Sequence, residues 1–374
     1  MLRREELAQA KRIVVKVGTS TLTHATGKLN VGRVDRLARE LTDLVNQGKE
    51  IILVTSGAVG VGIDRLGLKE RPRTIPEKQA AAAVGQGILM HIYEKMFAEY
   101  GQIAAQVLLT REDSVKRSRY ANSRNTLLTL IAMGVIPVIN ENDAVAIEEL
   151  KIGDNDTLSA MVASIVDADL LIILSDIEGL YTANPQTTPD ATLISTVHDV
   201  SPEIEALAGG AGSTLGTGGM HTKLQAAKIA VSSGVPMVIA TGTRDGVISA
   251  IAAGEEIGTL FVSRENRLQI RKRWLAFGAR IKGSVTIDSG CERALADGAS
   301  LLAAGIQTAN GSFKAGDTIS IMNLTGREMA RGIAYYSSEE VARIVGCHTN
   351  EIADILGYKS YDEVIHRDNM VILG

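Results

Sequence analysis

The chain has 374 residues, 45% hydrophobic and 22% charged, which excludes wholesale disorder and favours two domains over a single core. Its net charge of -4 offers no global attraction for nucleic acid or an anionic membrane. Two cysteines, Cys291 and Cys347, are too few for a disulfide framework and fit a reducing compartment.

The opening MLRREELAQAKRIVVKVG holds only a short apolar run before Gly18, which predicts a first strand over 12–17 and not the apolar region of a signal peptide. No stretch approaches a membrane span, so the expected location is cytoplasmic, with no membrane partner. Further apolar, β-branched runs predict strands over 50–55, 103–109, 135–140, 170–175 and 235–240. Between them, helical spacing of apolar residues predicts helices over 31–46, 77–99, 120–133 and 220–233. Strands alternating with helices imply βαβ units. The predicted class is therefore α/β, a three-layer α/β/α sandwich with a mainly parallel sheet, over residues 1–264. From 265 to 280 the text turns basic and patternless (NRLQIRKRW), which reads as a linker. Residues 281–374 show short β-type runs at 284–288 and 318–322 and a helical stretch over 338–346, a small β-rich domain with little helix.

In such a sheet, ligands gather beyond the carboxyl ends of the strands, where four polar or glycine-rich clusters of this sequence fall. The first is Lys16-Val-Gly18-Thr-Ser20. It is either a solvent-facing lysine at a strand end or an ammonium over phosphates, with Gly18 letting backbone N–H groups approach. The second, Thr55-Ser56-Gly57-Ala58, could equally be a plain helix start. The third is Asn140-Glu141-Asn142-Asp143 with Gly153-Asp154-Asn155-Asp156. Turn-forming Asx residues account for two or three of these side chains but not for six. The cluster suits either a metal or a loop gripping an amino acid's ammonium group. A helix expected over 157–166 would offer backbone N–H groups to a substrate carboxylate. The fourth, Gly216-Thr217-Gly218-Gly219-Met220-His221-Thr222-Lys223, opens a helix and is either an anion cradle or a loop needing glycine freedom. His221 in it either touches a nucleotide or faces solvent.

Absences narrow the chemistry. Neither a Walker A loop nor a dinucleotide fingerprint occurs. The six histidines (24, 91, 198, 221, 348, 366) lack zinc spacing, and no metal ligand is assigned to a side chain. Lysines, glycines and carboxylates remain, an inventory suited to phosphoryl transfer. A carboxylate acceptor, ionised at neutral pH with a reference pKa of about 4.3, would need no general base.

At this point the motifs VVKVGTS, VTSGA, GQ within AAVGQG, PVINENDAV, KIGDND, GLYTANP, LGTGGMHTKLQAA and HRDNM resemble the amino acid kinase family, in its glutamate-phosphorylating branch with a C-terminal PUA domain. The likeness runs over nearly the whole chain. It implies an ATP-dependent transfer to the γ-carboxylate of L-glutamate, giving γ-glutamyl phosphate, the first step of proline biosynthesis. It implies that Lys16 and Lys223 stabilise the transferring phosphoryl group and that Asp156 orients them. Ser56, Asp143 and Asn155 would hold glutamate, with Asn140 close by. Lys16, Gly18, Ser175, Asp176 and the run Thr217, Gly218, Gly219, Met220, His221, Thr222 and Lys223 would contact ATP. Ser175 stands where a threonine is more familiar, and Asn184 where an aspartate is. Mg2+ would enter bound to ATP. The resemblance also implies γ-glutamyl phosphate reductase as downstream partner, proline as feedback inhibitor and a homo-oligomer, dimer or tetramer.

Sister kinases acting on acetylglutamate, aspartate, carbamate or a nucleotide would share fold and ATP site. Asp143 supplies a carboxylate for a free α-ammonium, and burying it unpaired against an acetyl group would be costly, which favours a free amino acid. PUA domains often bind RNA, yet residues 281–374 carry eight Lys plus Arg against twelve Asp plus Glu, and phosphate-driven binding needs a basic surface. The segment 279–374 is expected to show no salt-sensitive RNA retention at physiological salt; measurable retention that falls as salt rises would reverse this reading.

Overall fold

The computed structural model describes residues 4–24, 26–110, 112–113, 117–145, 154–185, 187–208, 219–263 and 281–373. The chain divides into two compact units, Met1–Arg264 and Glu265–Gly374. The basic linker expected at 265–280 lies outside the described residues.

In the first unit, strands β1 (Arg12–Val17), β2 (Glu50–Val54), β3 (Ala104–Leu109), β4 (Ile136–Glu141), β5 (Leu170–Ser175), β6 (Thr196–Val197), β7 (Met237–Thr241) and β8 (Thr259–Phe261) form one sheet in the order β3-β4-β2-β1-β5-β7-β8-β6. All its pairings are parallel except β7 with β8. The helices in chain order are α1 (Thr19–Leu22), α2 (Val31–Asn46), α3 (Ala58–Arg65), α4 (Ile75–Glu99), α5 (Arg117–Ala132), α6 (Asn155–Ile165), α7 (Pro202–Ala206), α8 (Met220–Ser232) and α9 (Val247–Ala252).

Side chains of a strand alternate between faces, so β1 feeds two cores at once. Ile13, Val15 and Val17 pack with α2, α4 and α9, whereas Val14 packs with α6 and α8 on the other side. This is the three-layer α/β/α arrangement that strand–helix alternation predicts. Lys16 shares the parity of Val14 and is thereby aimed at the α6 and α8 layer. Element ends differ from the sequence expectation for local reasons. Helix α4 starts at Ile75 rather than 77 because Thr74 and Glu77 close a reciprocal capping box. Strand β4 runs one residue further, to Glu141, because Glu141 is in register with Leu109 of β3. Strand β7 begins only after Pro236, which has no N–H for the ladder.

Helix α3 begins at the possible helix start Thr55-Ser56-Gly57-Ala58, but no apolar periodicity marks its span in the sequence. Its sequence AVGVGIDR carries two glycines, which lower helix propensity. What holds it is close packing on α4. A Cβ on Gly62 would fall 1.8 Å from the Ala81 carbonyl oxygen, and one on Gly85 would fall 1.8 Å from that of Ala58. The two backbones touch where only glycine leaves room.

The second unit is a mixed five-stranded sheet in the order β10-β9-β11-β12-β13, with β9 (Ile281–Ile287), β10 (Ile306–Gly311), β11 (Thr318–Met322), β12 (Glu328–Ile333) and β13 (Met370–Ile372). It has its own core, including Val285, Ile319, Ile321, Tyr336 and Ile365. The unit is β-rich, as expected, and beside the helix expected over 338–346, observed as α11 (Ser338–Ile344), it holds two more, α10 (Ser289–Ala296) and α12 (Ile352–Leu356). Asp288 starts α10 by accepting a hydrogen bond from the Cys291 N–H at 2.7 Å.

Gly62→Ala and Gly85→Ala should each lower unfolding stability by about 1–3 kcal/mol, since the neighbour met is backbone and must move. Urea denaturation of the two variants checks this; midpoints equal to that of the parent chain would show that α3 and α4 separate without cost.

Candidate active site

Four parallel strands deliver polar residues to one edge of the sheet. Lys16 sits near the end of β1, Thr55 and Ser56 follow β2, Asn140 and Glu141 end β4, and Ser175 ends β5. Helix α6 begins at Asn155, capped by Asp154, whose carboxylate accepts from the Thr157 N–H at 2.7 Å and its hydroxyl at 3.0 Å. That geometry corrects one expectation. The helix starts two residues earlier than predicted, and the Thr157 N–H is taken by the cap rather than left for a substrate carboxylate.

The first turn of α6 presents Asp156, a carboxylate only 1% exposed. Lys16 Nζ lies 2.6 Å from its Oδ1 and Lys223 Nζ 3.2 Å from its Oδ2, and both lysines are buried. Oδ2 also accepts from the Thr222 hydroxyl at 2.8 Å. Burial pushes the Asp156 carboxyl up, but Lys16 and Lys223 beside it outweigh burial and hold it down at about 2. Burial lowers the Lys16 ammonium, against the opposing pull of Asp156. Two ammonium groups face the Asp156 carboxylate directly, with Asp154 acting on Lys16 more weakly, so positive charge is concentrated in a site largely shielded from water. Such a preset charge suits a polyanion whose charge builds during reaction.

Asn155, one residue earlier, faces a second cluster. Its Nδ2 lies 2.7 Å from the Thr55 carbonyl, 2.9 Å from Ser56 Oγ and 2.9 Å from Asn140 Oδ1. Asn140 Nδ2 in turn donates to Gln86 Oε1 at 2.8 Å, and Asn140 Oδ1 accepts from the Glu141 N–H at 2.9 Å. The turn that offers Ser56 requires Gly57, whose φ of 101° is left-handed. Thr55 is held from beneath by the buried Tyr93 hydroxyl, 2.8 Å from its Oγ1. Beside this network lies a cavity of about 320 Å³ lined by residues including Ala58, Gln86, Asn142 and Asp143.

Of the residues singled out from sequence, Lys16, Asp156, Thr222 and Lys223 meet in the charged cluster, and Ser56, Asn140 and Asn155 meet in the amide cluster. Asp143 lies on the neighbouring cavity, half-buried. A Cβ on Gly18 would stand 3.4 Å from Lys16 Nζ, so its absence keeps space beside the ammonium. Ser175 is buried and donates to Asp176 Oδ1 at 3.1 Å, while Asp176 itself is exposed. Gly219 precedes α8, Met220 packs onto the core and His221 is exposed. Thr217 and Gly218 lie outside the described residues. Asn184 opens a turn, its carbonyl accepting from the N–H groups of Thr187 and Thr188. Sequence reasoning gave no role to Gln86 or Tyr93. The sequence signal for Gln86 was the GQ motif within AAVGQG, which supports the family resemblance without giving the side chain a role. Among the described residues no three His, Cys, Asp or Glu side chains gather as a metal-ligand set. No described helix is long and apolar enough to cross a membrane.

Comparison with known proteins gives two family matches: the amino acid kinase family over residues 11–241 and the PUA domain over residues 283–356. The glutamate 5-kinase of Moorella thermoacetica is 59% identical over 369 residues, spanning 98% of this chain and 98% of its own length. That of Caldanaerobacter subterraneus subsp. tengcongensis is 56% identical, spanning 97% and 98%. That of Carboxydothermus hydrogenoformans is 52% identical, spanning 99% and 100%.

Asp156→Asn should destabilise the fold by about 3–5 kcal/mol at neutral pH, because two buried ammonium groups lose their partner. The depressed carboxyl of Asp156 contributes stability that is present above about pH 4 and lost as pH falls through about 2. Denaturant titrations at several acidic pH values should therefore show a component in the parent chain that Asp156→Asn lacks. Equal stability of the two proteins at pH 7 would mean the lysines do not depend on this carboxylate.

Proposed function

The chain belongs to the amino acid kinase family, and we propose that it is a glutamate 5-kinase, transferring the γ-phosphoryl group of ATP to the γ-carboxylate of free L-glutamate in the first step of proline biosynthesis. The observation that carries this reading is the sharing of one helix start by two clusters. Asp156 gathers Lys16 and Lys223, and its neighbour Asn155 gathers Ser56 and Asn140. A donor phosphate over the lysines and an acceptor carboxylate at the amides would then be neighbours, which suits direct in-line transfer.

In this reading the acceptor oxygen attacks the γ-phosphorus as the bond to the ADP oxygen breaks, giving γ-glutamyl phosphate and ADP. The glutamate carboxylate is already ionised, so no residue has to remove a proton. Lys16 and Lys223 neutralise charge on the transferring oxygens while Asp156 and Thr222 keep the ammonium groups aimed. Gly18, Ser175, Asp176 and the segment 217–223 surround ATP. Mg2+ enters as the ATP complex, since that ion prefers phosphate oxygens and water to a protein cage. Asp143 takes the α-ammonium of glutamate, with Ser56, Asn140 and Asn155 placing the acid.

We assign this chemistry to residues 1–264, with 265–280 as linker and 281–374 as an accessory PUA-like domain. The acyl phosphate is labile in water, so a reductase that takes up γ-glutamyl phosphate quickly follows from its chemistry. A cytoplasmic homo-oligomer inhibited by proline completes the proposal, by analogy with the family.

Hydroxylamine trapping with Mg-ATP tests it. Free glutamate should yield hydroxamate, and acetylglutamate and aspartate should not. Lys223→Ala should lower kcat by about 10²-fold or more with little change in glutamate KM, as expected for a charge needed mainly in the transition state. Asp143→Asn should chiefly raise the glutamate KM. Near-normal turnover by Lys223→Ala would remove the phosphate site from this location.

A further inference from the structure

We infer that Gln86, to which nothing above gives a substrate role, is a specificity-determining residue that donates its side-chain N–H groups to the α-carboxylate of the amino acid substrate. The inference rests on the proposal that this site takes a free amino acid, and it deepens that proposal.

The polarity of the amide chain carries it. The Glu141 backbone N–H is a donor and cannot be reversed, so the atom of Asn140 it meets at 2.9 Å is the oxygen. That oxygen also takes a hydrogen bond from Asn155 Nδ2 at 2.9 Å. The Asn140 NH2 group is thus forced to the other side, where it meets Gln86 at 2.8 Å. Gln86 must present its oxygen there, which turns its own NH2 group away from Asn140. An amide that could flip in isolation is oriented by a backbone N–H two links away.

Gln86 also lines the cavity of about 320 Å³ that Asp143 lines. An α-amino acid head group carries an ammonium and a carboxylate on one carbon, so a receptor needs an acceptor and a donor a short distance apart. Asp143 is the acceptor. No Lys or Arg stands among the described residues lining the cavity, so the donors these residues offer are neutral. Three lining side chains are amides: Gln86, Gln106 and Asn142. Of these, Gln86 is the one bonded to Asn140 and through it to Asn155 and Ser56, the residues proposed to place the acid. A neutral donor to a carboxylate makes a charge-assisted hydrogen bond without burying a further cation.

The test uses the full chain with Gln86→Met, which keeps the length but removes the donors, and Gln86→Glu, which replaces them with an acceptor. Both are assayed by hydroxamate formation with glutamate and with its α-carboxamide analogue, L-isoglutamine. Gln86→Met should raise the glutamate KM by about 10-fold or more, with kcat within about threefold of the parent. Gln86→Glu should lower the glutamate-to-isoglutamine ratio of kcat/KM by about 10-fold or more, because the carboxamide can donate where the carboxylate is repelled. A glutamate KM unmoved in both variants, a fall confined to kcat, or an unchanged substrate ratio would overturn the inference and leave Gln86 as a prop for Asn140. If the parent chain made no hydroxamate from glutamate, the substrate proposal itself would fall, a result read before either variant is compared.

Discussion

One buried carboxylate, Asp156, governs the arrangement of the polar edge of the sheet. Asp156 is almost wholly out of water and is tolerable there only because two ammonium groups and a hydroxyl converge on it. The dependence runs both ways: without the carboxylate, two like charges would be buried against each other. Lys16 comes from the middle strand, Lys223 from the first turn of α8, and Asp156 from the first turn of α6. The three meet only when the sheet and its covering helices are in register, so the fold and the charged cluster specify one another.

Adjacency along α6 then joins two chemistries. Consecutive residues of a helix point about 100° apart, so Asn155 and Asp156 serve different neighbours from one rigid turn. Asp154 fixes that turn by capping it, and burial pushes the Asp154 carboxyl up while its bond to the Thr157 N–H opposes the shift. The proposed donor and acceptor sites, held by one cap, would keep a fixed spacing, as phosphoryl transfer between two bound substrates requires.

The acceptor side depends in turn on how tightly two helices can approach. Gly62 and Gly85 bring α3 and α4 into backbone contact, and Gly57 permits the turn that exposes Ser56. Tyr93, two turns along α4 from Gln86, pins Thr55 from below. Helix α4 thus supports the β2 end at one point and meets Asn140 at another. A helix rich in alanine and glycine works here as a template rather than as a filler of the core.

Strand–helix alternation and the punctuation by glycine were both legible in the sequence, because each is a local consequence of backbone geometry and side-chain size. So were the identities of Lys16, Asp156, Lys223, Ser56, Asn140, Asp143 and Asn155 as candidates, since lysines, carboxylates and amides crowd the strand ends and their motifs resemble a known family. What the linear text could not contain is which of them touch. Asn155 and Asn140 are fifteen residues apart, Asn155 and Ser56 ninety-nine, and Lys223 and Asp156 sixty-seven. The span of helix α3 beyond its possible start was hidden because its glycines oppose helix formation locally and are favoured only by a partner helix. Gln86 was visible within the GQ motif, but its role was hidden because a glutamine on a helix has no meaning until the amide it faces is known. Periodicity and composition act between near neighbours, whereas hydrogen-bond polarity and buried charge are decided by whatever the packed sheet brings within about 3 Å.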